Sequence, residues 1–211
     1  MLDDLRIERY ARHILLREVG GVGQEKILSS TVRIDGLSEA GCWAATYLVL
    51  AGVGRLHLAD PRPVPAGGLL PLLPAAEEGS PRDQVAVTAL ASLNPDVVSS
   101  VEPAGPEDRE YELVRIAVGG RDEDYVVATG NGRAVGGWTA VGSPCPRCIG
   151  DALRSAEGVA GSGPAPALAG SVAASEILAA ILQPAARPTG LRIHRLGEAT
   201  PLPACSHGGA P

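Results

Sequence analysis

Residues 31–60 read TVRIDGLSEAGCWAATYLVLAGVGRLHLAD and predict a strand, a tight turn, a helix and a second strand. The β-branched run 31–35 stops at Gly36, and apolar residues recur at helical spacing after Gly41. The second strand ends at Asp60. In a dinucleotide-type βαβ unit, phosphate lies at the helix N-terminus and an acid about 20 residues on binds a ribose hydroxyl. Gly36, Gly41 and Asp60 are therefore candidate nucleotide-binding residues.

The turn of this unit departs from the nucleotide-binding pattern. Residues 36–41 read GLSEAG, whereas a dinucleotide turn runs Gly-x-Gly-x-x-Gly. Ser38 replaces the middle glycine, and Glu39 places a carboxylate near the expected phosphate. We therefore expect a preserved structural corner with weakened nucleotide binding.

Composition narrows the class of protein. A chain of 211 residues with 45% hydrophobic residues forms one domain, or one domain with a small lobe. The net charge of -6 and the lack of a basic run argue against nucleic acid and membrane partners. The sequence shows no signal pattern, and we expect no membrane-spanning segment and a cytoplasmic location.

Five segments in order then resemble the ThiF/MoeB/HesA family of adenylyltransferases, in a shortened and degenerate form. They are ERYARHILL (8–16), GGVGQEKI (20–27), the stretch 32–60, SLNPDV (92–97) and PCPRC (144–148). The resemblance implies a protein that binds ATP and magnesium and attaches AMP to the C-terminus of a ubiquitin-like sulfur carrier. Partners would be such a carrier or a peptide, and a second subunit in a homodimer or heterodimer.

The same resemblance assigns roles to residues. Asp60 would bind the ribose, and Arg82 stands where the family has a phosphate-binding lysine. The stretch 67–71 lacks the expected Asn and Arg, and the magnesium-binding Asp has only loose substitutes in 121–124 or at Asn131. Offsetting the charge of ATP needs amides, cations and a metal, so these losses make independent ATP and magnesium binding doubtful.

The arginines of the N-terminal helix have two interpretations. In dimeric family members the second arginine reaches the partner's ATP, and Arg12 holds that position here. A silent half of a heterodimer would keep this role in trans. Alternatively, Arg9 and Arg12 simply form a solvated helix face.

The cysteines predict a structural zinc site. Cys145 and Cys148 form a Cys-x-x-Cys half site. The family completes the site with a later Cys-x-x-Cys, where this chain has Cys205 and His207, which would give a Cys3His set with an uncertain fourth ligand. The pair could instead be a residual pair without metal or a redox disulfide. Cys42 fits a small core residue.

These observations predict an α/β fold: a Rossmann-like doubly wound sheet with N-terminal helices and a C-terminal zinc-clipped lobe. Residues 1–30 would be a helical arm that contacts a second subunit, 31–142 the nucleotide-binding-type core, and 143–211 the cysteine pair, buried helix and tail of the same domain. The other predicted elements are helices at 3–19, 24–28, 82–93, 151–157 and 168–182, and strands at 97–101, 112–118, 125–129, 134–141 and 191–196, the last at an edge.

Three functions remain open at this point. The first is a ThiF-type non-catalytic subunit, or pseudoenzyme, in sulfur-carrier or natural-product biosynthesis. The second is an active adenylyltransferase that uses Asp60 and Arg82 in a rebuilt site. The third is a stand-alone protein-binding module.

Overall fold

The computed structural model describes residues 2–104, 113–119, 124–130, 133–139, 145–154, 164–183, 190–195, 198–203 and 205. Their helices are α1 (Asp4–Arg9), α2 (Ala11–Ile14), α3 (Gly20–Ser29), α4 (Glu39–Ala51), α5 (Arg82–Ala91), α6 (Pro146–Arg154) and α7 (Ala165–Leu182). Their strands are β1 (Thr31–Asp35), β2 (Arg55–Ala59), β3 (Val98–Val101), β4 (Val114–Val118), β5 (Asp124–Gly130), β6 (Arg133–Trp138), β7 (Gly190–Arg195) and β8 (Glu198–Pro201).

The eight strands form one sheet in the order β3-β2-β1-β4-β5-β6-β7-β8. The first three strands are parallel, and α4 and α5 connect them as two βαβ crossovers. The predicted Rossmann-like α/β class with N-terminal helices is therefore confirmed. The sequence did not predict that β4 runs antiparallel to β1, or that every later pairing is also antiparallel.

Alternation along β1 explains how the core forms. Val32 and Ile34 are fully buried on one side, whereas Arg33 and Asp35 are only partly buried on the other. The apolar side packs under α4, which buries Leu48 and other residues. Gly41 permits the close approach, since a Cβ there would lie 2.5 Å from the Gly36 carbonyl oxygen.

Helix α7 completes this layer by packing against α4. A Cβ at Gly170 would lie 2.5 Å from the Ala40 carbonyl oxygen, so the two helix backbones are unusually close. The predicted burial of this helix is confirmed on one side, where Ala173 and Ile177 are fully buried. Contrary to the sequence expectation, α7 is long and apolar enough to span a membrane by composition, with a mean hydropathy of 1.7. Its contact with α4 accounts for that character as core packing.

Several boundaries differ from the sequence predictions for physical reasons. The helix expected over 3–19 divides at Tyr10, whose buried side chain turns the chain toward the body. Gly20, Gly21 and Gly23, which follow the helix predicted over 3–19, lie in the first turn of α3. Helix α6 begins at Pro146 rather than at 151, since proline suits the first helical position. Strand β7 lies between β6 and β8 and is not an edge.

Candidate functional site

The turn between β1 and α4 is closed by the chain's own backbone. Gly36 has φ +99°, and a Cβ there would lie 2.6 Å from the Leu113 carbonyl oxygen. Ser38 occupies the N-cap position of α4 and is 1% exposed. Among the described residues, its Oγ has no hydrogen-bond partner and caps no backbone N–H. The turn therefore keeps the βαβ geometry but lies beneath the segment that leads into β4.

Asp60, the predicted ribose-binding acid, lies at the end of β2 and is 2% exposed. The Leu37 backbone N–H donates to Oδ2 at 2.6 Å. Arg62 donates from Nε to Oδ1 at 2.7 Å, from Nη2 to Oδ2 at 2.6 Å and from its backbone N–H to Oδ1 at 3.2 Å. The carboxylate is thus fully engaged by two neighbours in its own chain.

These donors determine the ionisation of Asp60. Burial alone would raise the pKa of this carboxyl group. The hydrogen bonds from Arg62 and from the Leu37 N–H outweigh it, with the charges of Arg62 and Arg82, and hold the pKa of Asp60 below its usual range. Asp60 is therefore a stable, paired anion at neutral pH.

Arg82, the predicted phosphate-binding cation, begins α5 and is 7% exposed. Its Nε donates to the Pro63 carbonyl oxygen at 3.0 Å, and its Nη1 donates to the Leu37 carbonyl oxygen at 3.4 Å. Nη1 also lies 3.7 Å from Asp60 Oδ2. The structure does bring Arg82 and Asp60 together, but Arg82 serves to tie the loop base to the βαβ turn.

Asp83 reinforces this base from the next position of α5. Its Oδ2 accepts the Asp60 backbone N–H at 3.1 Å, and its own backbone N–H donates to the Asp60 carbonyl oxygen at 3.1 Å. Asp83 is 4% exposed, which fits a side chain that fixes the end of β2. Sequence reasoning missed its role.

The loop between β2 and α5 is held by local contacts and packs into the main core. An isolated bridge joins Pro63 to Pro81, and a short 3-10 helix covers Ala75–Glu77. Val64 and Leu73 are 1% exposed and anchor the loop in the core. The stretch 67–71, expected to have lost its triphosphate contacts, lies toward the surface, with Leu70 67% exposed.

Asp124 is the one described residue among the loose substitutes for a magnesium ligand, and it does not lie at the carboxyl end of β1. Asp124 pairs with Ala117, and Ala117 pairs with Arg33, so Asp124 lies level with the middle of β1 rather than with its carboxyl end. Burial raises the pKa of Asp124, which Arg115 partly opposes. Residues 121–123 and Asn131 lie outside the described residues.

The N-terminal helices are held against their own subunit. Tyr10 is 1% exposed, and its hydroxyl lies 3.0 Å from Asn94 Nδ2 and 3.2 Å from Asp96 Oδ2. Arg6 and Arg9 both pair with Asp96. Arg12 is exposed on α2 and makes no hydrogen bond or ion pair within the described part of the chain. Arg9 and Arg12 are both exposed, and Arg9 differs from Arg12 in its ion pair with Asp96.

Three of the predicted metal ligands do come together. Cys145 precedes α6, Cys148 lies in its first turn, and Cys205 arrives from the C-terminal tail. Their sulfur atoms lie within 4.8 Å of one another, at 3.7 Å for Cys145–Cys148 and 4.0 Å for Cys148–Cys205. His207 lies outside the described residues. Cys42 is fully buried in α4, as expected for a core residue.

Arg62 is the functional residue that the sequence interpretation missed. It follows Asp60 by two positions, so the fragment Asp60-Pro61-Arg62 places opposite charges at the end of a buried strand. That spacing could have suggested a local ion pair.

The fold and this site define an α/β protein with a nucleotide-binding-type βαβ corner at the carboxyl end of its parallel strands. A family model described as "ThiF family" matches residues 10–129, more than half of the sequence, so the chain belongs to the ThiF family.

Curated relatives match about half of the chain. It is 38% identical over 104 residues to the SAMP-activating enzyme E1 of Haloferax volcanii, covering 48% of this chain and 38% of that protein. It is 41% identical over 98 residues to the sulfur carrier protein ThiS adenylyltransferase of Escherichia coli, covering 46% and 39%. The chain thus spans about two fifths of the length of these relatives.

Solved structures share the fold over nearly the whole chain. PaaA gives a TM-score of 0.68 at 18% identity, covering 94% of this chain and 82% of that one. MccB of Escherichia coli with AMPCPP and MccA gives 0.67 at 15% identity, covering 95% and 72%. At these identities the likeness shows the fold alone.

Proposed function

We propose that this chain is a ThiF-type subunit that does not itself carry out ATP-dependent adenylation. It would act as a non-catalytic partner in the activation of a sulfur carrier or of a peptide in natural-product biosynthesis. The observation that carries the proposal is the saturation of Asp60 by Arg62 and Leu37. An acid already engaged in this way cannot accept a ribose hydroxyl unless a donor leaves.

The residues that would bind the triphosphate of ATP are also unsuited to that role. Arg82 donates to two backbone carbonyl oxygens and lies beside Asp60, so its positive charge is already paired within the protein. The half-buried carboxylate of Glu39 begins α4, where a phosphate would need a positive field. With the stretch 67–71 lacking cationic side chains, the residues present do not fit a triphosphate.

The described residues beside the turn are also unsuited to binding a magnesium ion. Because β4 is antiparallel to β1, its amino end rather than its carboxyl end lies beside the turn. Arg115 occupies the level of Asp35 there. A cation at this position repels a divalent metal instead of binding it.

The cysteine cluster, by contrast, fits a structural zinc ion. A tetrahedral zinc with Zn–S bonds of about 2.3 Å separates its sulfur ligands by about 3.8 Å. The spacings of 3.7 and 4.0 Å match that value and exceed the roughly 2.05 Å of a disulfide. Cys145, Cys148 and Cys205 would hold the ion, with His207 as the fourth ligand, and would clip the tail to α6.

The partners follow from family membership. The relatives include a sulfur carrier protein adenylyltransferase, and one solved neighbour contains the peptide MccA, so a carrier or peptide is the expected ligand. We propose a homodimer, or a heterodimer with an intact family member, in the cytoplasm. The arm 1–30 would make the contact, and in the heterodimer Arg12 would reach the nucleotide of the intact partner. Residues 31–142 and 143–211 would form one body.

Two alternative functions would require different behaviour of the chain. An active adenylyltransferase requires Arg62 to leave Asp60 during turnover. A stand-alone binding module requires neither ATP nor a second subunit.

Pyrophosphate release separates these functions. The purified chain would be incubated with ATP, magnesium and a ubiquitin-like carrier, alone and mixed with an intact relative such as a molybdopterin-synthase adenylyltransferase. We expect no release from the chain alone. Release above background from the chain alone, abolished by Asp60→Asn, would refute the proposal and establish the active enzyme.

A further inference from the structure

Arg62 supplies three of the four hydrogen bonds that the Asp60 carboxylate accepts from the described residues. Two come from one edge of the guanidinium group, at 2.7 and 2.6 Å, and the third from the backbone N–H at 3.2 Å. The fourth comes from the Leu37 N–H at 2.6 Å. A carboxylate offers about four lone-pair positions, so the acceptor capacity of Asp60 is filled from within the chain.

The donors differ in how easily they can leave. The Leu37 N–H belongs to the backbone turn between β1 and α4, which the packing at Gly36 and Gly41 fixes. The side chain of Arg62 is 26% exposed, whereas that of Asp60 is 2% exposed. The guanidinium group is therefore the one donor that can withdraw toward solvent without breaking the βαβ unit.

We propose that Arg62 is an internal occupant of the ribose position, a self-inhibitory contact that masks a carboxylate still able to bind a vicinal diol. The guanidinium group presents two parallel N–H donors to both oxygens of Asp60. The 2′- and 3′-hydroxyls of a nucleoside present two O–H donors to the same atoms. The inference rests on the proposed function, because it explains why this corner is closed in a non-catalytic subunit.

Arg82 would keep the masked Asp60 carboxylate able to accept hydrogen bonds from hydroxyl groups. Its Nη1 lies 3.7 Å from Asp60 Oδ2, and its hydrogen bonds to the Leu37 and Pro63 carbonyl oxygens do not involve Arg62. Of the groups that lower the pKa of Asp60, the Leu37 N–H and the charge of Arg82 remain when Arg62 is replaced, and both favour the ionised state that accepts hydroxyl hydrogen bonds.

The test is a calorimetric titration of Arg62→Ala with adenosine and with 2′,3′-dideoxyadenosine. We expect Arg62→Ala to bind adenosine at least about tenfold more tightly than the original chain does, since hydrogen bonds to a charged group contribute about that factor. It should also prefer adenosine to the dideoxy compound by about tenfold or more. In a double variant that remains folded, adding Asp60→Asn should abolish both differences. Arg55→Ala, at an exposed arginine that begins β2, is the matched control and should behave as the original chain.

Arg62→Gln provides a second variant that keeps side-chain bulk but lacks the fork, and it decides the matter if Arg62→Ala does not fold. Equal adenosine affinity in the original chain and the folded variant, or no preference for the diol, would overturn the inference. That outcome leaves the proposed function standing, because a silent corner need not be reopenable. Conversely, pyrophosphate release by the original chain overturns the proposed function but not a gain of affinity in Arg62→Ala.

Discussion

Arg115 lies directly opposite Asp35, because β4 runs antiparallel to β1. Asp35 in turn accepts two hydrogen bonds from Arg33, at 3.0 and 2.6 Å. The carboxyl end of β1 is therefore bordered by two arginines and by the amino end of the next strand. In an all-parallel arrangement the next strand would end at this edge, where open α/β sheets bind their ligands.

Asp60 should be indispensable to the stability of this corner. Asp60→Asn leaves the buried Arg82 guanidinium and the Arg62 fork without their anion, and removing one partner of a buried ion pair costs about 3–5 kcal/mol. Urea unfolding should show that loss. Glu77→Gln, the same change at an exposed acid, should cost less than about 0.5 kcal/mol. Comparable losses for both variants would argue against the network.

The free energy of unfolding should fall at acid pH as the paired carboxylates become protonated. Burial raises the pKa of Asp60 and of Asp96, but hydrogen bonds from Arg62 and from Arg9 lower both below the usual range. Their contribution is full above the unfolded-state pKa of about 3.9 and is lost as pH falls through the folded-state pKa. Asp124, whose pKa burial raises, acts in the opposite sense, losing its contribution as pH rises above that range.

Urea midpoints between pH 2.5 and 7 measure this dependence. Asp96→Asn should flatten the loss of stability below about pH 4. An acid limb as steep as that of the original chain would show that Asp96 is not paired in solution.

Tyr10 should fasten the N-terminal helices to the body. Tyr10→Phe removes the hydroxyl contacts with Asn94 and Asp96 and leaves a buried amide short of a partner, for a cost of about 1–3 kcal/mol. Hydrogen exchange should accelerate in α1–α3. Tyr47→Phe, at a 40% exposed tyrosine, is the control and should leave exchange there unchanged. Unchanged protection in Tyr10→Phe would mean that the arm is held by other contacts.

Gly52 should be required both for the packing of Tyr10 against the body and for the left-handed backbone conformation at position 52. A Cβ at Gly52 would lie 2.6 Å from the Tyr10 hydroxyl, and its φ of +89° already disfavours other residues. Gly79 has a similar φ of +84° but no atom within 4 Å of an added Cβ. Thermal unfolding should therefore show Gly52→Ala to be about 1–3 kcal/mol less stable than Gly79→Ala. Equal losses would remove the steric explanation.

The cysteine cluster should contain about one equivalent of zinc. Metal analysis of the purified chain should show that content, and Cys148→Ser should lose it together with thermal stability, because binding free energy contributes to folding. Cys42→Ala, which changes a core cysteine outside the cluster, should keep the metal. Less than about half an equivalent in the original chain would remove the zinc proposal.

Local patterns were enough to predict the βαβ corner. Helical spacing after Gly41 and the β-branched run at 31–35 are set by residues close in sequence, and close packing explains the two glycines of the turn, Gly36 and Gly41. The direction of β4 could not be predicted, because a five-residue strand has the same alternation in either direction.

The candidate site was only partly predictable for a related reason. Asp60 was identified from the βαβ spacing, Cys145 and Cys148 from the Cys-x-x-Cys spacing, and Arg82 and Cys205 from the family resemblance. The structure brings Arg82 to Asp60 and gathers the three cysteines. The hydrogen-bond partner of the Asp60 carboxylate was not predicted. Arg62 turns back onto Asp60 through a side-chain conformation that leaves no periodic pattern in the sequence. Tyr10 was likewise missed, because its partners Asn94 and Asp96 are more than eighty residues away.

A calorimetric titration of the original chain with ATP and magnesium tests the central claim most directly. If Asp60 is held by Arg62 and Leu37, and Arg82 by backbone carbonyls, no heat of binding should appear at ligand concentrations up to about 1 mM, which limits the binding free energy to about -4 kcal/mol. Saturable binding with a Kd of about 10 µM or below would contradict the account, because ATP would then have displaced those internal contacts at little cost.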